Sequence, residues 1–210
     1  MRMTRQRASP RRRGLARSLN KGLPRAAARP GATPPLPSKT GPRWAAETTM
    51  IHQLEGDLLL SKAEAIAHGV APADHFAQGL ALALRDRYPS MVKDFRHWCH
   101  QEHPKSGEAW TWSSHGVRVV NLLTQDAEGH GGHPGKASLA NVNHALKALR
   151  KTIEKEGFKS VALPRLATGV GGLDWAEVEP LLVQHLGDLD AEVYVYATFR
   201  PGVAAVEPTA

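Results

Sequence analysis

The stretch ALPRLATGVGGLDW, residues 162–175, decides the fold class of this chain. Its apolar start predicts the end of a buried strand, and Asp174 and Glu177 have the spacing of a capping box at the start of a helix. The loop between them, 165–173, contains three glycines. Amide groups that open a helix favour anions, and glycine allows a ligand to approach the backbone. The stretch therefore predicts a strand, an anion-binding loop and a helix, with a tight turn that binds nothing as the alternative.

Strand and helix patterns alternate on both sides of this stretch. Apolar alternation or short apolar runs predict strands over 50–56, 65–70, 108–114, 116–124, 160–164 and 191–199. Helical spacing of apolar residues predicts helices over 79–89, 90–102, 138–157 and 174–186. This order is typical of an α/β fold with a mostly parallel or mixed sheet and helices on both faces. Ligands of such sheets bind in loops beyond the carboxyl ends of the strands, which selects the loops 70–79 and 165–173.

The chain divides by composition into a basic tail and a folded part. Residues 1–49 contain twelve Lys/Arg and one acidic residue, a net charge of +11, whereas the rest of the chain has a net charge of −4. The tail is rich in Arg, Pro and Gly and is predicted to be disordered. Three interpretations of this tail are open: a basic arm that contacts nucleic acid, a targeting peptide, and a segment outside the functional protein. We favour the third, in which the functional protein starts at Met50. We expect one domain over 50–200 and a disordered tail over 201–210.

Cysteine and histidine usage indicates the compartment and argues against a metal. The single Cys99 favours a reducing, cytoplasmic location, and no apolar run is long enough to span a membrane. His97, His100 and His103 recur at helical spacing, but a polar helix face explains them better than a metal site does. The stretch HGGHPGK, 130–136, is predicted to be a mobile surface loop rather than a zinc site. We expect neither a metal nor a cofactor.

Several stretches together resemble the macrodomain family over about residues 50–199. They are GDLL (56–59), AIAHGVAPADHFAQGLALALRDRYP (65–89), VRVVNLLTQ (117–125), LPRLATGVGGLDW (163–175) and VYVYATF (193–199). The chain is most similar to the branch that includes the terminal ADP-ribose protein glycohydrolase and the DarG antitoxin. The resemblance implies a three-layer α/β/α fold that binds ADP-ribose, free or on a macromolecule, in a cleft at the carboxyl end of the sheet.

The resemblance also implies which residues bind the ligand. Asp57 would bind the adenine amino group beside the amide of Leu58, although a turn or helix cap also explains an aspartate at that position. Thr198 and Phe199 would lie near the adenosine. The other implied ligand-binding residues are Ala77, Gln78 and Gly79 at the distal ribose, Thr124 at the end of its strand, and Thr168, Gly169, Val170, Gly171 and Gly172 around the diphosphate.

Two departures from that branch concern its chemistry. The branch has a lysine where this chain has Gln125, and a glutamine cannot form a Schiff base or act as a cationic acid. The human glycohydrolase of that branch has an acidic residue four positions before the tryptophan that matches Trp175. This chain has Gly171 at that position. Asp174 matches that residue only if an insertion is assumed.

The resemblance implies hydrolysis of an ADP-ribosyl bond on protein or nucleic acid, or of a related ADP-ribose derivative. Cleavage at the anomeric carbon needs a held water, a base and a stabilised leaving group. The candidates near the distal ribose are Asp74, His75 and Gln125. The missing lysine favours a non-catalytic reader of ADP-ribose as one alternative. A phosphatase acting on ADP-ribose 1″-phosphate, an activity of relatives of this branch, is another.

Overall fold

A computed structural model describes residues 50–128 and 133–208. The predictions for the tail 1–49 and for residues 129–132 lie outside the described residues. The strands are β1 Ile51–Gly56, β2 Ala65–Val70, β3 Ala109–Ser114, β4 Val117–Leu123, β5 Gln125–Glu128, β6 His133–Ala137, β7 Ser160–Pro164 and β8 Glu192–Phe199. The helices are α1 Gly79–Arg87, α2 Pro89–Glu102, α3 Leu139–Glu156 and α4 Trp175–Leu186, with a short 3-10 helix at Leu58–Leu60.

Six strands form a mixed sheet in the order β1-β8-β7-β2-β4-β3. Neighbouring strands run parallel except β3, which is antiparallel to β4 at one edge. Helices α3 and α4 pack on one face, where Leu146 and Leu182 join the core beneath them. Helices α1 and α2 cover the opposite face through Leu84 and Phe95. The predicted three-layer α/β/α fold with a mixed sheet is therefore confirmed.

Local sequence signals account for the two ends of α3 and for the start of α4. The Ser138 hydroxyl accepts a hydrogen bond from the amide of Asn141 at 3.1 Å, and Gly157 ends α3 with φ of +69°. Asp174 accepts a hydrogen bond from the amide of Ala176 at 3.0 Å and caps α4. The Asp174 cap fixes the point where the loop 165–173 ends and α4 begins, and so helps to position this loop at the sheet edge.

Two segments differ from their predicted structure. Residues 133–137, part of the predicted surface loop, form strand β6, which pairs antiparallel with β5. Residues 200–208, named the C-terminal strap here, return along the sheet edge, and the amide of Arg200 donates to the carbonyl of Gly56 at 3.0 Å. Residues 201–208 belong to the segment 201–210 for which we predicted a disordered tail, and Gly202 and Val203 form hydrogen bonds with Asp57. The strap is held by a partner distant in sequence, whereas β6 pairs with the neighbouring strand β5.

The described residues contain neither a group of metal ligands nor a helix that could span a membrane. Within residues 50–128 and 133–208, no three His, Cys, Asp or Glu side chains are grouped as metal ligands. His97, His100 and His103 are exposed, whereas Cys99 is buried in the core under α2. None of the described helices has both the length and the apolar character needed to cross a bilayer.

Candidate ligand-binding cleft

Two adjoining chambers lie at the carboxyl ends of the central strands. The Asp57 chamber has a volume of about 490 Å³ and the glycine-loop chamber about 180 Å³. Gly79, Leu80 and Pro164 line both, so the two form one cleft. This is where ligands bind in open α/β sheets, and the cleft has the size of a small-molecule site.

Most of the predicted site residues line this cleft. Those in the Asp57 chamber are Asp57, Leu58, Gly79 and Phe199, and those in the glycine-loop chamber are Asp74, Ala77, Gln78, Gly79, Thr124, Gln125, Gly169, Val170 and Gly171. The lining does not include His75, Thr168, Gly172 or Thr198. The order of the residues around the cleft follows the order of the strand ends along the sheet.

The Asp57 chamber is an apolar slot with one carboxylate. Phe199 is 71% exposed at its rim, and Leu58 and Leu80 form part of its walls. Asp57 caps the 3-10 helix, since its Oδ1 accepts a hydrogen bond from the amide of Leu59 at 3.0 Å. Its Oδ2 accepts another from the amide of Gly202 at 3.0 Å. Each oxygen keeps a second lone pair, so the helix-cap interpretation and a ligand-binding role are compatible.

The glycine-loop chamber presents unpaired main-chain amides. Within the loop 165–173, the amide of Gly172 donates to the carbonyl of Gly169 at 3.1 Å, and that of Leu173 to Ala167 at 3.1 Å. The amides of Gly169, Val170 and Gly171 donate to no atom of the described residues, and all three residues line the chamber. Consecutive free amides before a helix N-terminus form an anion-binding concavity.

Gly171 has no room for a side chain. A Cβ atom there would lie 2.5 Å from the carbonyl oxygen of Ala167 and 2.9 Å from the Cβ of Ala137. The carbonyl of Gly171 also accepts a hydrogen bond from the amide of Ala137 at 3.0 Å, which ties the loop to β6. An acidic residue is therefore sterically excluded at this position. Asp174 does not replace it, because its carboxylate caps α4 and does not line the chamber.

Asp74 is a buried carboxylate that shapes the loop after β2. Its Oδ1 accepts a hydrogen bond from the amide of Phe76 at 2.6 Å, and its Oδ2 accepts one from the amide of Ala71 at 3.3 Å. Burial raises the pKa of the Asp74 carboxyl, although these hydrogen bonds oppose the shift. The loop also holds Ala73 and Phe76 at φ of +58° and +53°, so the carboxylate closes a turn that L residues rarely adopt.

The other two catalytic candidates differ in position. His75 is exposed, lies outside the chamber lining, and has its Nδ1 3.2 Å from Arg96 Nη2. Gln125 is buried at the chamber wall, where its Nε2 donates to the carbonyl of Gly135 at 2.9 Å. The structure thus brings Gln125 and Asp74 to the cleft, and leaves His75 outside it.

Sequence reasoning did not single out His68 or Arg165, which also line the glycine-loop chamber. Arg165 is the only lysine or arginine among the described residues that line the cleft. Its guanidinium lies 5.6 Å from the ring centroid of Trp175, an arrangement typical of a cation–π contact. In the sequence, the only indication of a role for Arg165 is its place within the stretch 162–175, because its stacking on Trp175 is a contact of the folded chain.

His68 is a buried neutral histidine in β2. Its Nε2 lies 2.9 Å from Oδ1 of Asn121 in the neighbouring strand, and the Asn121 amide nitrogen donates to the carbonyl of Trp110 at 3.4 Å. The Asn121 oxygen is therefore the acceptor and His68 Nε2 the donor. His68 Nδ1 is buried and has no hydrogen-bond partner among the described residues. Burial lowers the pKa of His68 to about 4, so its ring is neutral at pH 7.

We expect His68 to make the folded state sensitive to acid. The pKa of its ring is about 4 in the folded chain against a usual value of 6.5, so the unfolded chain takes up the proton first as the pH falls below 6.5. Between pH 6.5 and 5 this costs about 2 kcal/mol of unfolding free energy. Urea unfolding at pH 7 and pH 5 of the wild type and His68→Gln measures it. The variant keeps a donor for Asn121 but does not titrate, and equal losses in the two proteins would contradict the expectation.

The fold and the cleft define a small-molecule-sized binding site at the carboxyl edge of a three-layer α/β/α domain. The sequence model of the Macro domain family matches residues 68–182. The chain belongs to the Macro domain family.

Relatives and solved structures with the same domain are similar to this chain. The DNA ADP-ribosyl glycohydrolase of Mycobacterium tuberculosis is 34% identical over 152 residues, which cover 69% of this chain and 42% of the relative. Human ADP-ribose glycohydrolase OARD1 is 22% identical over 151 residues, covering 71% of this chain and 93% of the relative. The macrodomain of Mycobacterium tuberculosis DarG superposes with a TM-score of 0.61 at 30% identity, covering 70% of this chain and 97% of that one. The chain thus spans less than half the length of the mycobacterial glycohydrolase that it matches.

Proposed function

We propose that this chain binds ADP-ribose and hydrolyses the bond that joins an ADP-ribosyl group to a protein or a nucleic acid. The observation that carries the proposal is the set of three free amides, Gly169, Val170 and Gly171, which line the glycine-loop chamber next to the Asp57 chamber. A diphosphate that links an adenosine to a second ribose, as in ADP-ribose, fits this arrangement. The relatives named as ADP-ribosyl glycohydrolases support the same ligand, as does the solved structure of Thermosipho africanus DarTG in complex with ADP-ribose.

The ligand would lie along the cleft with its adenine in the Asp57 chamber. The free lone pairs of the Asp57 carboxylate accept a hydrogen bond from the adenine amino group, and the exposed ring of Phe199 packs beside the adenosine. The diphosphate takes the three free amides, and Arg165 adds a positive charge at the same chamber. The distal ribose then points toward Asp74 and its neighbours.

Hydrolysis would take place at the anomeric carbon of that ribose. The bond from this carbon to the macromolecule breaks, the oxygen of a water molecule bonds to the carbon, and the water's proton balances the leaving atom. Asp74 is the candidate base, because its carboxylate lines the chamber and its raised pKa gives it a higher proton affinity than an ordinary aspartate. Gln125 is the candidate for holding the water, through its side-chain oxygen.

A non-catalytic reader of ADP-ribose is the second candidate function. Two observations favour it: among the described residues no lysine lines the cleft, and Gly171 leaves no room for a carboxylate. The Gln125 amide is also engaged by the carbonyl of Gly135. A reader needs the amides and the Asp57 chamber but neither Asp74 nor Gln125 as a reactive group.

Binding is tested first, by calorimetry on the full chain with ADP-ribose. We expect heat of binding in the wild type and an affinity about tenfold lower in Asp57→Ala, since a hydrogen bond to a charged group is worth about 1.5 kcal/mol or more. Glu156→Ala is the control, because Glu156 is an exposed carboxylate at the end of α3 that lines neither chamber. No heat with ADP-ribose in the wild type would overturn the proposed ligand.

Turnover is tested next, on mono-ADP-ribosylated protein, ADP-ribosylated DNA and ADP-ribose 1″-phosphate. Release of ADP-ribose from either macromolecule supports the glycohydrolase. Binding of ADP-ribose without turnover of any of the three substrates supports the non-catalytic reader. Release of phosphate from ADP-ribose 1″-phosphate alone supports the phosphatase.

A further inference from the structure

The C-terminal strap, residues 200–208, lies directly against the Asp57 end of the cleft. The amide of Asp57 donates to the carbonyl of Val203 at 2.7 Å, and the amide of Gly202 donates to Asp57 Oδ2 at 3.0 Å. A Cβ atom on Gly56 would lie 2.9 Å from both Val203 O and Ala205 N. Only a glycine at position 56 therefore allows the strap to approach this closely. The strap restrains both the backbone and the carboxylate of Asp57.

Glu207 anchors the far end of the strap. Its Oε1 accepts hydrogen bonds from the Ser61 hydroxyl at 2.5 Å and from the Tyr196 hydroxyl at 2.9 Å, and its Oε2 accepts one from the amide of Lys62 at 2.9 Å. Three donors on one partly buried carboxylate form a set of charge-assisted bonds, stronger than bonds between neutral groups. Tyr196 itself lines the Asp57 chamber, so the anchor is attached to a wall of the site.

We propose that Glu207 is a positioning residue, which holds the C-terminal strap so that the Asp57 carboxylate is oriented for a base that carries an amino group. The inference rests on the proposed function, since it concerns the base of the same ligand. Glu207 does not line either chamber, and acts through the strap. Asp57 Oδ1 is held by its own helix cap, whereas Oδ2 is held by the strap alone.

Selectivity for the base follows from this orientation. A carboxylate can accept a hydrogen bond from the amino group of adenine, but it repels the carbonyl oxygen that hypoxanthine has at the same position. If the strap detaches, Oδ2 loses its fixed donor and the carboxylate can rotate away from the base. The loss then falls on the preference for adenine, and much less on the contacts of the diphosphate.

The test measures the affinity of the full chain for ADP-ribose and for inosine diphosphate ribose by calorimetry. We expect Glu207→Ala to reduce the preference for ADP-ribose about tenfold, the equivalent of one hydrogen bond to a charged group. Glu207→Gln keeps an acceptor and should recover part of the preference. Val206→Ala is the matched control, because Val206 is the neighbouring residue and its side chain is 89% exposed. Ser61→Ala removes a single donor and serves as a milder variant if Glu207→Ala does not fold.

Two results would overturn the positioning role. One is an unchanged preference in Glu207→Ala and Ser61→Ala, and the other is an equal loss of affinity for both nucleotides, which would make the strap a purely structural element. Failure of the wild type to bind ADP-ribose is a different outcome, because it contradicts the proposed function itself.

Discussion

Replacing Gly171 with aspartate is expected to weaken ADP-ribose binding about a hundredfold rather than to restore a catalytic acid. The new Cβ would lie 2.5 Å from the carbonyl oxygen of Ala167, a backbone atom that already accepts the amide of Leu173. The loop must shift, and the three free amides shift with it. Loss of two hydrogen bonds to a charged ligand weakens binding about a hundredfold, and overpacking costs about 2 kcal/mol of unfolding free energy. Calorimetry and urea unfolding measure the two effects.

Gly169→Ala is the control within the same loop. No atom lies within 4 Å of a Cβ at position 169, and its φ is not left-handed. The unfolding free energy of this variant should therefore stay within about 1 kcal/mol of the wild type. If Gly171→Asp bound ADP-ribose with normal affinity, the loop would be adaptable and the steric argument against an acid would be wrong.

Asp74→Ala is the second substitution with a large expected effect. It leaves the amides of Ala71 and Phe76 buried without acceptors, which costs about 3 kcal/mol of unfolding free energy. It also releases a turn with two left-handed residues, Ala73 and Phe76, beside the chamber expected to take the distal ribose. Affinity for ADP-ribose should fall about tenfold or more, whereas affinity for ADP, which lacks that ribose, should change little.

The isosteric Asp74→Asn separates structure from chemistry. It keeps one acceptor and the shape of the side chain, so it should fold and bind ADP-ribose but lose turnover if Asp74 is the base. Because burial raises the pKa of Asp74, turnover of the wild type should fall as the pH is lowered through that raised pKa, where the carboxylate becomes protonated. Full turnover in Asp74→Asn would remove Asp74 from the proposed chemistry.

Periodicity in the sequence predicted the main elements of the fold well. Strand β2 has the predicted bounds, and the caps of α3 at Ser138 and Gly157 follow from local residue chemistry. The hairpin of β5 and β6 was missed because its second strand, HPGKA, has neither apolar alternation nor β-branched residues. The strap was missed for a different reason. Its order depends on Glu207 meeting Ser61, 146 residues earlier in the chain.

The site was predictable where the backbone performs the function. A cluster of glycines between a strand and a helix predicted a loop at the sheet edge that could bind an anion, and Gly169, Val170 and Gly171 do line the cleft. Side chains were harder to place. His75 is next to Asp74 in sequence, but His75 is exposed and Asp74 is buried. The lining role of Arg165 depends on a tertiary stack, which spacing does not encode.

The three free amides of the glycine loop have a consequence for how this cleft could be tuned. Peptide N–H groups neither gain nor lose a proton near neutral pH, and among substitutions only proline removes them. The strength of the proposed anion site therefore depends on the geometry of the loop, with a further positive charge from Arg165. Substitutions elsewhere can bend the loop or leave it intact, and acidity acts on the ligand's own phosphates before it acts on the groups that hold them. If the proposed ligand is correct, evolution could vary the side chains around the distal ribose while the main-chain contacts with the diphosphate stay the same.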